Sequence, residues 1–159
     1  MTGDAVFCFA VDTLTKAASL MWQRDCGAIP VVDVENKILG IITDRDICIA
    51  LATRNRKASE IRAGELCKGD VLTCSLEDDI KKAIKLMRKN QVRRLPVINE
   101  EGGLAGMITL ADIVAAAGAK KKDKALSAKK VFKLFEAISK KPPIHLSEII
   151  PEEAAASGS

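Results

Sequence analysis

Tyrosine is absent from this 159-residue chain, tryptophan and histidine occur once each, and aromatic residues amount to 3% of the total. Modules that read single-stranded nucleic acid stack bases on aromatic side chains, so this composition speaks against that class. The one histidine, His145, lies beyond Pro142-Pro143, which leaves a nucleophile–histidine–acid constellation unsupported. A glycine-rich phosphate loop of the ATPase type is also missing, and the chain reads as a protein that is not an enzyme. No apolar run is long enough to span a bilayer, and Met1-Thr2-Gly3-Asp4 lacks the basic-then-apolar order of a signal peptide. The five cysteines (Cys8, Cys26, Cys48, Cys67 and Cys74) are odd in number and follow no metal-ligand spacing. They read as small buried hydrophobes in a reducing compartment, so no metal and a cytoplasmic location are expected.

What is present is aliphatic. Hydrophobic residues make up 48% of the chain, and with so few rings the core must be built from Ile, Val, Leu, Met and Ala. That composition suits helices laid over β-branched strands. The pattern is also duplicated. Gly40-Ile41-Ile42-Thr43-Asp44-Arg45-Asp46 recurs as Gly106-Met107-Ile108-Thr109-Leu110-Ala111-Asp112. The same offset carries Pro30-Val31 onto Pro96-Val97, Leu20-Met21 onto Leu86-Met87, Asp12 onto Asp78 and Ala17 onto Ala83. Such a repeat implies two similar modules packed against each other, with the function between them.

Each copy reads as β-α-β-β-α, and the fold class is α/β. An apolar run (5–11, then 71–76) leads to an acidic helix start at Asp12-Thr13 and at Glu77-Asp78-Asp79. The following helix carries apolar residues at three- and four-residue steps: Leu14, Ala17, Ala18 and Met21, then Ile80, Ala83, Ile84 and Met87. Strands are expected at 28–33 and 38–42, and again at 94–98 and 104–108, joined by polar turns. A second helix starts at Thr43 or Asp44 and at Thr109. Its apolar face is Ile47, Ile49 or Ala50, and Leu51 in one copy, and Ile113, Val114 and Ala117 in the other. The units are placed at 4–57 and 58–118, followed by a basic helical extension at 119–159.

The turn from the second strand into the second helix carries the chemistry. Thr43 and Thr109 sit where a hydroxyl can cap a helix or face a ligand, and the exposed N–H groups there favour an anion. Asp46 and Asp112 follow three residues later on the same face, where a carboxylate can accept two adjacent sugar hydroxyls. The same spacing is also that of an ordinary capping box, and the two readings stand side by side.

These motifs, with Ile29-Pro30-Val31-Val32 and Leu95-Pro96-Val97-Ile98, resemble a tandem pair of cystathionine-beta-synthase (CBS) domains, a Bateman module, over residues 4 to 118. The resemblance implies two β-α-β-β-α units packed through their sheets about a pseudo-twofold axis. The clefts between them would hold AMP, ADP or ATP, with NAD or S-adenosylmethionine as further adenosine ligands, and the pair would dimerise. It implies that Asp46 and Asp112 accept ribose hydroxyls, that Thr43 and Thr109 contact ribose or phosphate, and that Ile41 and Met107 flank adenine. Ala28 and Val71 resemble further wall positions, and Arg93 and Arg94 match basic phosphate ligands. The halves differ here: Gly27 and Ala28 stand where the second copy has Arg93 and Arg94, while Arg45 is replaced by Ala111. Unequal sites follow, with the Thr109–Asp112 cleft favoured for a phosphorylated ligand. Arg45 also reads as an exposed helix residue, and Arg93 and Arg94 as a solvated strand edge.

Beyond residue 118 the repeat ends. Lys120, Lys121, Lys122 and Lys124 form a basic run. A helix is expected from Ala125 or Ser127 to Lys140, with Ala128, Val131 or Phe132, Phe135 and Ile138 as its apolar face. Three roles compete for it: packing on its own pair or across a homodimer, docking a protein partner, or touching nucleic acid or a membrane surface through its lysines. The function expected is a non-catalytic sensor that reports an adenosine nucleotide to a regulated protein partner. The alternative is a structural or interaction module without a nucleotide.

Overall fold

The computed structural model describes residues 6–67, 69–119 and 127–140. Two three-stranded sheets carry the repeat. In the first, β1 (Cys8–Phe9) runs parallel to β2 (Ala28–Val32), which pairs antiparallel with β3 (Ile38–Thr43). The second repeats this with β4 (Cys74–Ser75), β5 (Arg94–Ile98) and β6 (Leu104–Thr109). Parallel neighbours require a crossover, supplied by α1 (Leu14–Gln23) and α3 (Ile80–Asn90). After the hairpins come α2 (Asp44–Arg54) and α4 (Leu110–Ala119).

The opening strands are shorter than the apolar runs 5–11 and 71–76 suggest. Asp12 and Asp78 end them: each carboxylate accepts a backbone N–H three residues back, from Phe9 at 2.9 Å and from Ser75 at 2.9 Å. Their other oxygens take Lys16 and Lys82, so one acid closes the strand and anchors the helix. The caps themselves are Thr13 for α1 and Asp79 for α3. Lys82 and the Ser75 N–H together hold Asp78 below the usual carboxylate range.

Alternation along the strands sorts their residues onto two faces. Ile29, Val31 and Ile42 join Leu14, Ala17, Met21, Ile47 and Ala50 in one core; Leu95 and Val97 join Ala83, Ile84, Met87 and Ile113 in another. The faces turned away from the helices are enclosed at Pro30 and Pro96 and half-buried at Ile41, Thr43, Met107 and Thr109. The units meet through these faces. At the hairpin tips Lys37 pairs antiparallel with Gly103, and the Leu104 N–H donates to Asn36 O at 3.0 Å. Lys37 and Gly103 occupy the same position of the two repeats. A residue can pair with its own counterpart only near a twofold axis, which places the pseudo-twofold axis at this bridge.

The join between the units packs backwards. Ile61 and Ala63 are fully buried in the first core, and the Leu14 N–H donates to Ile61 O at 2.9 Å. The 3-10 turn Ala63–Leu66 places Cys67 so closely over β3 that a Cβ on Gly40 would meet Cys67 Sγ at 2.5 Å. Segment 58–67 therefore leads into the second unit by sequence and rests on the first by packing.

The final helix, α5 (Ala128–Ser139), lies across α3 and α4. It buries Leu134 and Ile138, with Val131 beside them, in the second core. The expected apolar face holds at Val131 and Ile138 and is corrected elsewhere: Phe132 is 69% exposed, Phe135 56%, and Ala128 is exposed as well. Helical spacing allows either row to face inward, and the groove between α3 and α4 takes the aliphatic one. Leu51 and Val114 are likewise exposed, because the cores need only Ile47 and Ala50 from α2 and Ile113 from α4. The lysine run 120–124, Pro142-Pro143, His145 and the short element at 146–150 lie outside the described residues. Among the described residues no helix is long and apolar enough to cross a membrane.

Candidate functional site

The two strand-to-helix turns have nearly the same geometry. Thr43 N–H and Oγ1 donate to Asp46 Oδ2 at 2.8 and 2.6 Å, and the Asp46 N–H returns a bond to Thr43 Oγ1 at 3.1 Å. At the second turn the matching distances are 2.8, 2.6 and 3.2 Å. Both are complete capping boxes. The box fixes the carboxylate at the mouth of a helix start, on a half-buried residue.

Strand register adds the remaining walls. Ala28 stands opposite Thr43, and Pro30 opposite Ile41. Arg94 stands opposite Thr109, and Pro96 opposite Met107. All eight lie on the face turned toward the other unit. The structure thus gathers Ala28, Ile41, Thr43 and Asp46 at one corner, and Arg94, Met107, Thr109 and Asp112 at the other. Each helix start is also tied to its own sheet: the Asp44 N–H donates to Gly27 O at 3.3 Å, and the Leu110 N–H to Arg93 O at 2.8 Å.

Electrostatics separates the corners. Arg94 is half-buried beside Thr109, where the first corner offers only Ala28. Arg93 is exposed on the same loop. Among the described residues neither arginine has an ion-pair partner. Arg45 is exposed on the first turn of α2, and Val71 is half-buried three residues ahead of β4, outside both hairpins. Among the described residues no group of three or more His, Cys, Asp or Glu is placed to hold a metal ion.

The family model of the CBS domain matches residues 1–53 and again 63–119. The chain belongs to the CBS domain family. A CBS pair is a regulatory, non-catalytic module, and this pair carries both repeats. Hypoxic response protein 1 of Mycobacterium tuberculosis is 36% identical over 102 residues, covering 64% of this chain and 71% of that protein. A solved structure under the same protein name, with two coordinated zinc ions, has 33% identity and a TM-score of 0.66 over 72% of this chain and 92% of that one. The CBS pair of MJ0100, solved with 5-methylthioadenosine and S-adenosyl-L-methionine, has 25% identity and a TM-score of 0.62 over 72% of this chain and 92% of that one. The match to uncharacterized protein MK0525 of Methanopyrus kandleri, 28% identical over 111 residues, spans 70% of this chain and 57% of that protein.

One surface escaped the sequence reading. On the outside of the first unit, α1 and α2 enclose an apolar groove of about 570 Å³, lined by Met21, Trp22, Ile47 and Leu51 with Asp25 and Asp44 at its rim. The signal for it was Trp22 and Leu51, large apolar residues lying off the rows that fill the core.

Proposed function

We propose that this CBS pair binds an adenosine nucleotide, AMP, ADP or ATP, at the Thr109–Asp112 corner and reports its presence to a partner protein as a homodimer. The observation that carries this reading is Arg94, half-buried opposite Thr109 on the inter-unit face, with no ion-pair partner among the described residues. A guanidinium so placed offers a planar fork of donors to a phosphate. The capped Asp112 holds its carboxylate in a fixed position for a ribose diol, and half-buried Met107 supplies an apolar wall for the base. The adenosine compounds bound by the MJ0100 pair support the ligand class. The Thr43–Asp46 corner, with Ala28 in place of an arginine, suits an uncharged adenosine portion. A ligand touching both units favours one arrangement of them only by its difference in affinity for each, and that difference is the signal.

Calorimetric titration of ligand-free protein with AMP, ADP, ATP, NAD and S-adenosylmethionine tests the reading. Saturable binding of a phosphorylated ligand is expected, weakened about tenfold or more by Arg94→Ala and abolished by Asp112→Ala. If folded, ligand-free protein binds none of the five, the interaction-module alternative replaces this one.

A further inference from the structure

The two units differ most on their outer faces, where the repeat itself shows what one of them lacks. In the second unit the valley between α3 and α4 is floored by Ile84, Met87 and Ile113, with Ala117 at its edge, and α5 lies in it with Leu134 and Ile138 buried. The Gln91 side chain donates to Ala137 O at 3.2 Å and fixes the end of that helix. The same repeat positions in the first unit are Ala18, Met21, Ile47 and Leu51, and these line the open groove between α1 and α2. One valley is filled by a helix of the chain; its counterpart, of about 570 Å³, is filled by none of the described residues, among which Trp22 on its wall is 88% exposed.

The chain also displays an apolar ridge against which no described residue is set. Phe132 and Phe135, one turn apart on the outer side of α5, are 69% and 56% exposed. Lys129 shares that side one turn before Phe132. The groove carries carboxylates at its rim, Asp25 and Asp44. Glu136, one turn after Phe132 on that side, is bridged to Lys140 at 2.7 Å, so ridge and groove match in polarity and, through Lys129, in sign. They lie on different units, so the ridge of one copy meets the groove of another.

We infer that the chain forms a reciprocal dimer in which the outer face of α5 of one copy seats Phe132 and Phe135 in the α1–α2 groove of the second, and the second copy does the same in return. This rests on the homodimer named above and assigns its surfaces. Each contact is made twice about a twofold axis, as a closed dimer requires. Aromatic anchors in an apolar groove with charges at the rim are the usual anatomy of a specific interface.

The experiment uses the full chain and its single tryptophan, Trp22, which sits in the groove. Sedimentation equilibrium gives the dimer dissociation constant, and Trp22 emission reports cover over the groove. Wild type is expected to dimerise, with emission shifting to shorter wavelength as it does so. Phe132→Glu/Phe135→Glu, which alters only exposed side chains, is expected to raise the dissociation constant at least about tenfold and leave Trp22 at its dilute, long-wavelength emission. Leu51→Arg, on the groove side, should do the same. Mixing the two variants should restore a heterodimer, because one intact ridge then meets one intact groove. A dimer unaffected by both variants overturns this inference and leaves the homodimer standing. Two variants that each weaken the dimer but do not rescue one another mean that each face meets its own copy, ridge to ridge and groove to groove, and overturn it as well. A wild-type chain monomeric at all accessible concentrations overturns the inference and the homodimer together.

Discussion

Replacing Leu134 with alanine tests whether α5 is part of the second core. Leu134 is fully buried against α3 and α4, with Ile138 and Val131 on the same row. Leucine-to-alanine changes in cores cost about 2–5 kcal/mol, the spread reflecting how far the site can collapse. Here one wall of the cavity is a single peripheral helix held by few residues and able to settle inward. The lower part of the range, about 2–3 kcal/mol, is therefore expected. Phe135→Ala is the control. Although the larger side chain, it is 56% exposed, so in the monomer its loss should stay within about 0.5 kcal/mol. Urea denaturation followed by far-ultraviolet circular dichroism at dilution, where the monomer dominates, measures both. With a slope of about 1–3 kcal/mol per molar urea, the Leu134 change moves the midpoint by roughly 1 M. If Leu134→Ala falls below about 0.5 kcal/mol, or Phe135→Ala exceeds it, α5 does not pack as described and the reasoning from burial is wrong.

Gly40→Ala is expected to destabilise the first unit by about 1–3 kcal/mol, because the new methyl group would meet Cys67 Sγ at 2.5 Å and Cβ at 2.8 Å. Cys67→Ala in the same chain should recover part of the loss and not all, since the Cβ contact survives; independent, additive effects in a thermal-melt double-mutant cycle would refute the contact. Burial lifts the Cys8 thiol from 9.0 to about 12, with the Asp12 charge adding to it, while burial also raises Cys67 and Cys74. Iodoacetamide should therefore label exposed Cys48 first and reach Cys8 and Cys74 only on unfolding, as read by mass spectrometry of the peptides. The unfolded chain gives up the Cys8 proton at lower pH than the folded one. This contribution to stability is therefore intact below about pH 9 and is lost as pH rises toward about 12. Constant stability across that window would contradict the burial of Cys8.

The repeat, its β-α-β-β-α order and the two strand-to-helix turns were legible in the sequence because each is a local pattern. Alternation, three- and four-residue spacing, and a threonine three residues ahead of an aspartate have the same meaning wherever the chain goes. The pairing of Arg94 with Thr109 was not legible in this way. Arg93 and Arg94 are neighbours in sequence, and only strand register tells which of them stands at the corner. The apolar row of α5 is legible only in part for a related reason: Val131 and Ile138 face the core as the spacing predicts, and Phe135 does not. Phe132 and Phe135 are as hydrophobic as Leu134 and Ile138, and a helix with apolar residues on two rows buries whichever row the available groove accepts.

The sequence alone determined what repeats: two units, their element order, the capped turns and an aliphatic core. Tertiary structure alone decided what is unequal between them: the join folded back on the first unit, α5 laid over the second, and one outer valley filled while no described residue fills its counterpart. The division follows from the range of the forces. Hydrogen-bonded caps and amphipathic spacing act within a few residues and are written in the local sequence. Which distant surface a segment covers depends on the shape and apolar area it finds there, and that is settled only when the whole chain is folded.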